Sequence, residues 1–90
     1  MAQVAFTRNL QRFFPDLEET EVPAQTVAAL IQALDQRWPK LSSYLVDDQG
    51  RLRRHVNIFV DEVIIRDRET LSDTLHADAK VFIVQALSGG

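Results

Sequence analysis

The 90-residue sequence contains no cysteine, only three glycines and three prolines, and no long apolar run. Without cysteine the chain has no disulfide, no thiol nucleophile and no thiolate ligand for zinc or an iron–sulfur cluster. No segment approaches the roughly 18 consecutive apolar residues that a membrane-spanning helix requires. We therefore expect a cytoplasmic protein that does not enter a membrane.

The sequence also lacks a dominant charge, because its formal net charge is −3 and its acidic and basic residues are mixed along the chain. This balance gives no electrostatic footprint for nucleic acid. The densest basic cluster consists of Arg51, Arg53 and Arg54. The sequence leaves two interpretations of this cluster open, a solvated strand face or a docking site for an acidic partner.

Two of the three glycines, Gly89 and Gly90, stand together as the last residues of the sequence. Glycine contributes no side chain to a core and loses the most backbone freedom on ordering, so this pair needs another explanation. A frayed end is the simplest explanation for the glycine pair.

A chain of 90 residues is expected to form one domain, residues 1–90, with a modest core.

The first half of the sequence predicts two short strands followed by one helix. "QVAFT" at residues 3–7 and the segment "EETEVPA" alternate as strands do. Thr26 is a plausible helix N-cap, and Pro39 ends the helix. The apolar residues between them recur at the spacing of one helical stripe, and they are Val27, Leu30, Ile31, Leu34 and Trp38.

The second half predicts three more strands. "LSSYLVDDQG" is predicted to be a connection with a turn at residues 47–50. The alternation that starts at Arg51 predicts a half-buried strand. Asp61 and Glu62 predict a tight turn that leads into the short strand "VII". "DRETLSDTL" is predicted to be a loop with a single helical turn that buries Leu71 and Leu75, and residues 80–85 form the last strand.

The last predicted strand is apolar on both faces, and one helix covers only one of them. If the helix packs on the face of Val81 and Ile83, then Phe59, Phe82 and Val84 share the opposite face. We interpret these three residues as a patch that binds a partner protein. The alternative is that the loop containing the Phe13-Phe14 pair folds back over them.

Three segments carry a resemblance to the ubiquitin-like sulfur carriers of the ThiS and MoaD type. They are the helix start "QTVAALIQAL", the strand "HVNIFVD" and the end "AKVFIVQALSGG". The stretch "GRLRRHVNIFVD" most resembles the carrier of a thiocarboxylate-dependent route to cysteine. The resemblance implies an α+β, β-grasp fold with a mixed four- to five-stranded sheet, one main helix on one face and a flexible tail at about residues 86–90. The sequence departs from the family in having no glycine in "HADAKV".

The resemblance also implies a function for the tail. A separate E1-like enzyme would use ATP to adenylate the Gly90 carboxylate, which a sulfur-donating enzyme converts to a thiocarboxylate. Leu87, Ser88 and Gly89 would thread into the active site of the partner. A biosynthetic enzyme would then accept the sulfur. The chain itself would bind no cofactor.

No catalytic or metal-ligating motif is present, and His55 and His76 are expected to be surface residues. Two other functions stay open at this point. One is a ubiquitin-like modifier that is conjugated through Gly90, and the other is a β-grasp interaction module in which the glycines are incidental. The recipient of the sulfur also stays open between molybdopterin, thiazole, cysteine and a specialised metabolite.

Overall fold

A computed structural model describes residues 1–85. Its eight elements are the strands β1 (Ala2–Phe6), β2 (Thr20–Val22), β3 (Val56–Val60), β4 (Val63–Ile64) and β5 (Lys80–Gln85) and the helices α1 (Arg8–Gln11), α2 (Val27–Arg37) and α3 (Leu41–Leu45). None of these helices is long and apolar enough to cross a membrane.

The five strands form one mixed sheet in the order β2-β1-β5-β3-β4. β5 lies at its centre, parallel to β1 and antiparallel to β3, while the two hairpins β1-β2 and β3-β4 complete the edges. The predicted α+β, β-grasp arrangement of a mixed sheet with a helix on one face is confirmed.

The helix α2 begins and packs as its sequence predicts. The Thr26 hydroxyl oxygen accepts a hydrogen bond from the Ala29 amide at 3.1 Å, which caps one of the unpaired amides of the first turn. The apolar stripe packs on the sheet, where its residues Val27, Leu30, Ile31 and Leu34 are buried. Trp38 is half-buried at the end of the helix, with its ring edge-on to Phe6.

Two local predictions are wrong. Residues 41–45, predicted to be part of a connection, form α3, whose Ser42 amide donates to the Asp35 carboxylate at 3.0 Å. The strand predicted from Arg51 begins at Val56, and residues 51–55 contain only an isolated bridge between Leu52 and Val46. The single turn predicted after β4 is present at residues 68–70, where the Asp67 carboxylate accepts from the Glu69 and Thr70 amides at 3.0 and 2.9 Å. Leu71 and Leu75 are buried as predicted.

The turn between β3 and β4 is as tight as predicted. Asp61 and Glu62 both have positive φ, 50° and 71°, which is the backbone of the two-residue hairpin turns that match strand twist. The Phe13-Phe14 pair does not cover the sheet. Instead both rings pack against Tyr44 in α3, with centroid distances of 5.0 and 5.1 Å.

Candidate functional site

The face of the sheet opposite α2, here called the open face, carries a row of apolar side chains. Ala5 is paired with Phe82, Phe82 with Phe59, and Phe59 with Ile64, so the row crosses β1, β5, β3 and β4. Paired residues point to the same side of a sheet, and their side chains are close enough to touch. Phe82 is 42% exposed and Ile64 47%, so the row presents apolar surface to its surroundings.

A shallow depression of about 550 Å³ lies on the open face beside this row. Phe59 and Phe82 line it together with the polar residues Glu19, Glu62 and Lys80. An apolar centre with a charged rim is the usual composition of a surface that binds another protein. The depression is therefore better suited to an apolar side chain of a partner than to a charged small molecule.

The structure brings Phe59, Phe82 and Val84 to the same face, in the arrangement that the strand alternation predicts. Phe59 and Val84 are half-buried and Phe82 is exposed. Sequence reasoning missed Ile64, which extends the row onto the edge strand, because a two-residue strand has too little alternation to indicate a face. The tail residues Leu87, Ser88, Gly89 and Gly90 lie outside the described residues.

Gln85, the last described residue, is held by three side chains from other segments. Its amide donates to the Thr7 hydroxyl at 3.3 Å, and its carbonyl accepts from the Asn9 amide group at 2.8 Å. Its own side chain is buried, with Nε2 at 3.4 Å from the His55 Nε2. These contacts fix the position of Gln85, after which residues 86–90 follow in the sequence, and we call them the tail anchor.

At the other end of β5, the Asp61 carboxylate is hydrogen-bonded to the first residue of the strand. It accepts a hydrogen bond from the Lys80 amide at 3.0 Å and contacts the His76 ring. The Lys80 amide and, secondly, His76 hold the pKa of Asp61 below its ordinary value. Asp61 therefore stabilises the hairpin as an ionised acceptor, which is a structural role.

The described residues contain little that could perform chemistry. His55 is half-buried at the tail anchor and His76 is exposed beside Asp61, some distance apart in the fold. Within residues 1–85 no three histidine, aspartate or glutamate side chains are grouped so that they could hold a metal ion. The open face and the tail anchor at Gln85 are the candidate site within the described residues.

Comparison with known proteins identifies the family and the fold. The model of the ThiS family matches residues 4–90. A search of curated protein sequences gives no match. Solved structures with the same fold include a chain of the Amycolatopsis orientalis BexX/CysO complex, with 21% identity, full coverage of both chains and a TM-score of 0.85.

Two further solved structures share the fold. Mycobacterium tuberculosis CysO is 24% identical over 97% of this chain and 100% of its own, with a TM-score of 0.82. SAMP1 from Haloferax volcanii is 21% identical over 99% of this chain and 98% of its own, with a TM-score of 0.76. At these identities the likeness establishes the fold.

Proposed function

Because the chain belongs to the ThiS family of ubiquitin-like sulfur carriers, we propose that it carries sulfur as a thiocarboxylate on Gly90. The observation that carries the proposal is that the family match runs through residue 90 and so includes the Gly89-Gly90 pair. In this role the chain is a carrier that other enzymes act on, and it performs no catalysis itself. We place the reaction in the cytoplasm, where ATP is available.

The chemistry requires an activating enzyme. A terminal carboxylate has a pKa near 3.5 and is ionised at neutral pH, which makes it a poor electrophile. In the first step a carboxylate oxygen of Gly90 attacks the α-phosphorus of ATP, and pyrophosphate leaves. In the second step a sulfide equivalent attacks the carbonyl carbon of this acyl-adenylate, the bond to AMP breaks, and a thiocarboxylate and AMP result.

The geometry of the described residues supports a role in which the domain docks on the partner and the tail carries the reacting carboxylate. The open face offers Phe82 and its neighbours as a docking surface, and the tail anchor sets where the tail starts. Two glycines allow the reacting end to enter a narrow channel and to adopt φ values that other residues avoid. In the sequence, Leu87 and Ser88 lie between the described domain and the Gly89-Gly90 pair.

Other proteins must therefore participate. We propose three of them, an E1-like adenylating enzyme that binds ATP, a sulfur-donating enzyme and a biosynthetic enzyme that accepts the sulfur. The Amycolatopsis orientalis CysO was solved in a complex with BexX. That complex supports a role in which a domain of this fold docks on another protein.

The proposal is tested by the intact mass of the protein after incubation with an E1-like adenylating enzyme, ATP and a sulfide source. A mass gain that corresponds to replacement of one oxygen by sulfur is expected. The same gain should be absent from a variant that lacks Gly89 and Gly90 and strongly reduced in Gly90→Ala. An unchanged mass with active enzyme, confirmed by its turnover of a known carrier, would refute the proposal.

Conjugation to proteins is the second candidate. It is favoured by the fold shared with structures named small archaeal modifier protein 1. The same acyl-adenylate would then be attacked by a lysine amine of a target and form an isopeptide bond. A lysine-linked adduct in cell extract, together with no thiocarboxylate, would establish this function and replace the first. A plain interaction module would instead keep its partner when Gly89 and Gly90 are deleted.

A further inference from the structure

The segment before β3 forms one wall of a second depression, about 650 Å³ in volume, that has a different character from the open face. Its charged lining comprises four arginines and two acids, which are Arg51, Arg53, Arg54, Arg68, Asp47 and Glu69. We call it the arginine groove. Four guanidiniums against two carboxylates make it a local positive surface on a chain whose net charge is −3.

One arginine of the groove, Arg68, stabilises the groove's own backbone. Arg68 donates from one terminal nitrogen to the carbonyls of Arg53 and Val56, at 2.8 and 2.9 Å, and from the other to the Asn57 side chain at 3.0 Å. Arg53 in turn donates to the Ser43 carbonyl at 2.9 Å. The backbone of the groove is therefore fixed by hydrogen bonds before any partner arrives.

Two other arginines keep their charge available. Arg54 is exposed and, within residues 1–85, makes no side-chain hydrogen bond or ion pair. Arg51, whose side chain is 56% exposed, pairs with Asp47 through a single 3.3 Å contact. Exposed pairs of this kind contribute little and can be exchanged for a better one. The groove thus presents guanidiniums whose preferred partners, carboxylates in bidentate geometry, are not supplied by the described domain.

The groove adjoins both parts of the proposed functional surface. Arg68 contacts Asn57, which is paired with Val84 on the open face. On the other side, His55 lies against Gln85 in the tail anchor. Five residues follow Gln85 in the sequence, and they span no more than about 17 Å. A protein that receives Gly90 in its active site must therefore come close to the groove.

We propose that the arginine groove binds an acidic surface segment of the enzyme that adenylates Gly90. This inference rests on the proposed carrier function and deepens it by naming the chemistry of the partner. The groove would increase the rate of encounter and orient the domain so that the tail faces the active site, which is what complementary charge does at protein interfaces. Of the two interpretations that the sequence left open for this basic cluster, it selects the docking site.

The test compares Arg54→Glu with the matched control Lys40→Glu in pyrophosphate release by the E1-like adenylating enzyme of the same organism. Lys40 lies between α2 and α3, outside the groove lining, so both variants change the net charge equally. Arg54→Glu should raise KM about tenfold at low salt with kcat nearly unchanged, because an attractive charge pair becomes a repulsive one. Lys40→Glu should match the wild type.

Salt provides a second readout. The KM of wild type and Arg54→Glu should converge as ionic strength rises toward about 1 M, where charges are screened beyond about 3 Å. Equal thermal unfolding of both variants establishes that they are folded. Equal KM for Arg54→Glu and Lys40→Glu, or an Arg54→Glu effect that is independent of salt, would overturn the inference alone. A wild-type chain that the enzyme does not adenylate would overturn the proposed function and the inference together.

Discussion

Replacing Phe82 by alanine should weaken docking on the adenylating enzyme while the domain still folds cooperatively. Phe82 is 42% exposed, which for a phenylalanine of about 200 Å² leaves about 85 Å² of apolar surface for a partner to cover. At about 25 cal/mol per Å², covering it contributes about 2 kcal/mol, which is about thirtyfold in Kd. Within the domain the substitution loses the buried remainder of the side chain, roughly 115 Å², which includes the cross-strand contact with Phe59 and contributes up to about 3 kcal/mol by the same coefficient.

Isothermal titration calorimetry with the adenylating enzyme measures the Kd, and urea unfolding measures the stability. Phe13→Ala is the matched control, because Phe13 is 56% exposed but packs against Tyr44 and not on the open face. Its Kd should equal that of the wild type. A Kd for Phe82→Ala within about threefold of the wild-type value would refute the docking role of the open face. Loss of cooperative unfolding would show that Phe82 is part of the core.

Three further predictions concern the elements that support the site. Hydrogen bonds from Ser72 and Thr70 hold the pKa of Asp67 below its ordinary 3.8, so its contribution to stability is complete above about pH 5 and is lost as the pH falls toward the lower pKa of the folded state. Asp67→Asn should therefore flatten the loss of stability between about pH 5 and pH 2 in urea unfolding, and an unchanged acid profile would contradict this. Thr26→Ala removes the N-cap of α2 and should cost about 1 kcal/mol, lowering Tm by about 4–8 °C; Thr26→Ser should retain most of the stability, and equal Tm values for the two variants would show that the cap is unimportant. Asn9→Ala removes the donor to the Gln85 carbonyl and should cost about 1 kcal/mol while speeding amide exchange at Gln85; protection like that of the wild type would count against the tail anchor.

The order of the strands and of the main helix, and the two faces of the sheet, could be predicted because they follow from local periodicity. Val81 and Ile83 are buried and Phe82 is exposed, in step with an alternation that the sequence displays directly. The stripe of α2 is equally plain, since every residue predicted to face the core between Val27 and Leu34 is buried. In these segments local pattern and tertiary packing favour the same structure.

The errors arose where hydrogen bonds to a neighbouring segment, and not apolar periodicity, decide the local structure. Pro39 and two serines predict an irregular connection for residues 41–45, yet the Asp35 carboxylate, from the preceding helix, satisfies the Ser42 amide and allows α3 to form. Residues 51–55 alternate as a strand does, yet the amides of Leu52 and Arg53 donate to the carbonyls of Arg68 and Leu45, at 2.8 and 2.9 Å, and β3 begins only at Val56. Neither outcome is encoded in the periodicity of the segment itself.

For the candidate site, the apolar patch could be predicted but the tail anchor could not. Phe59 and Phe82 stand out because large apolar residues occupy the polar half of an alternating pattern. Thr7, Asn9 and His55 show no such signal. Thr7 and Asn9 meet Gln85 only after β1 and β5 have paired across more than 70 residues of sequence, and His55 meets it only after β3 and β5 have paired. The same holds for Arg68, which is a structural donor to the groove rather than one more surface charge.

The central position of β5 makes folding of this domain wait until Lys80–Gln85 has been synthesised. Until Lys80–Gln85 has been made, the other strands form only two separate hairpins, because β5 is the strand that joins β1 to β3. Isolated hairpins are at best marginally stable in water. The pairing of β1 with β5 also closes nearly the whole chain into one loop, which slows the search for the native state. A chain cut short before Lys80 therefore cannot join its two hairpins into one sheet, and its backbone stays accessible to proteases.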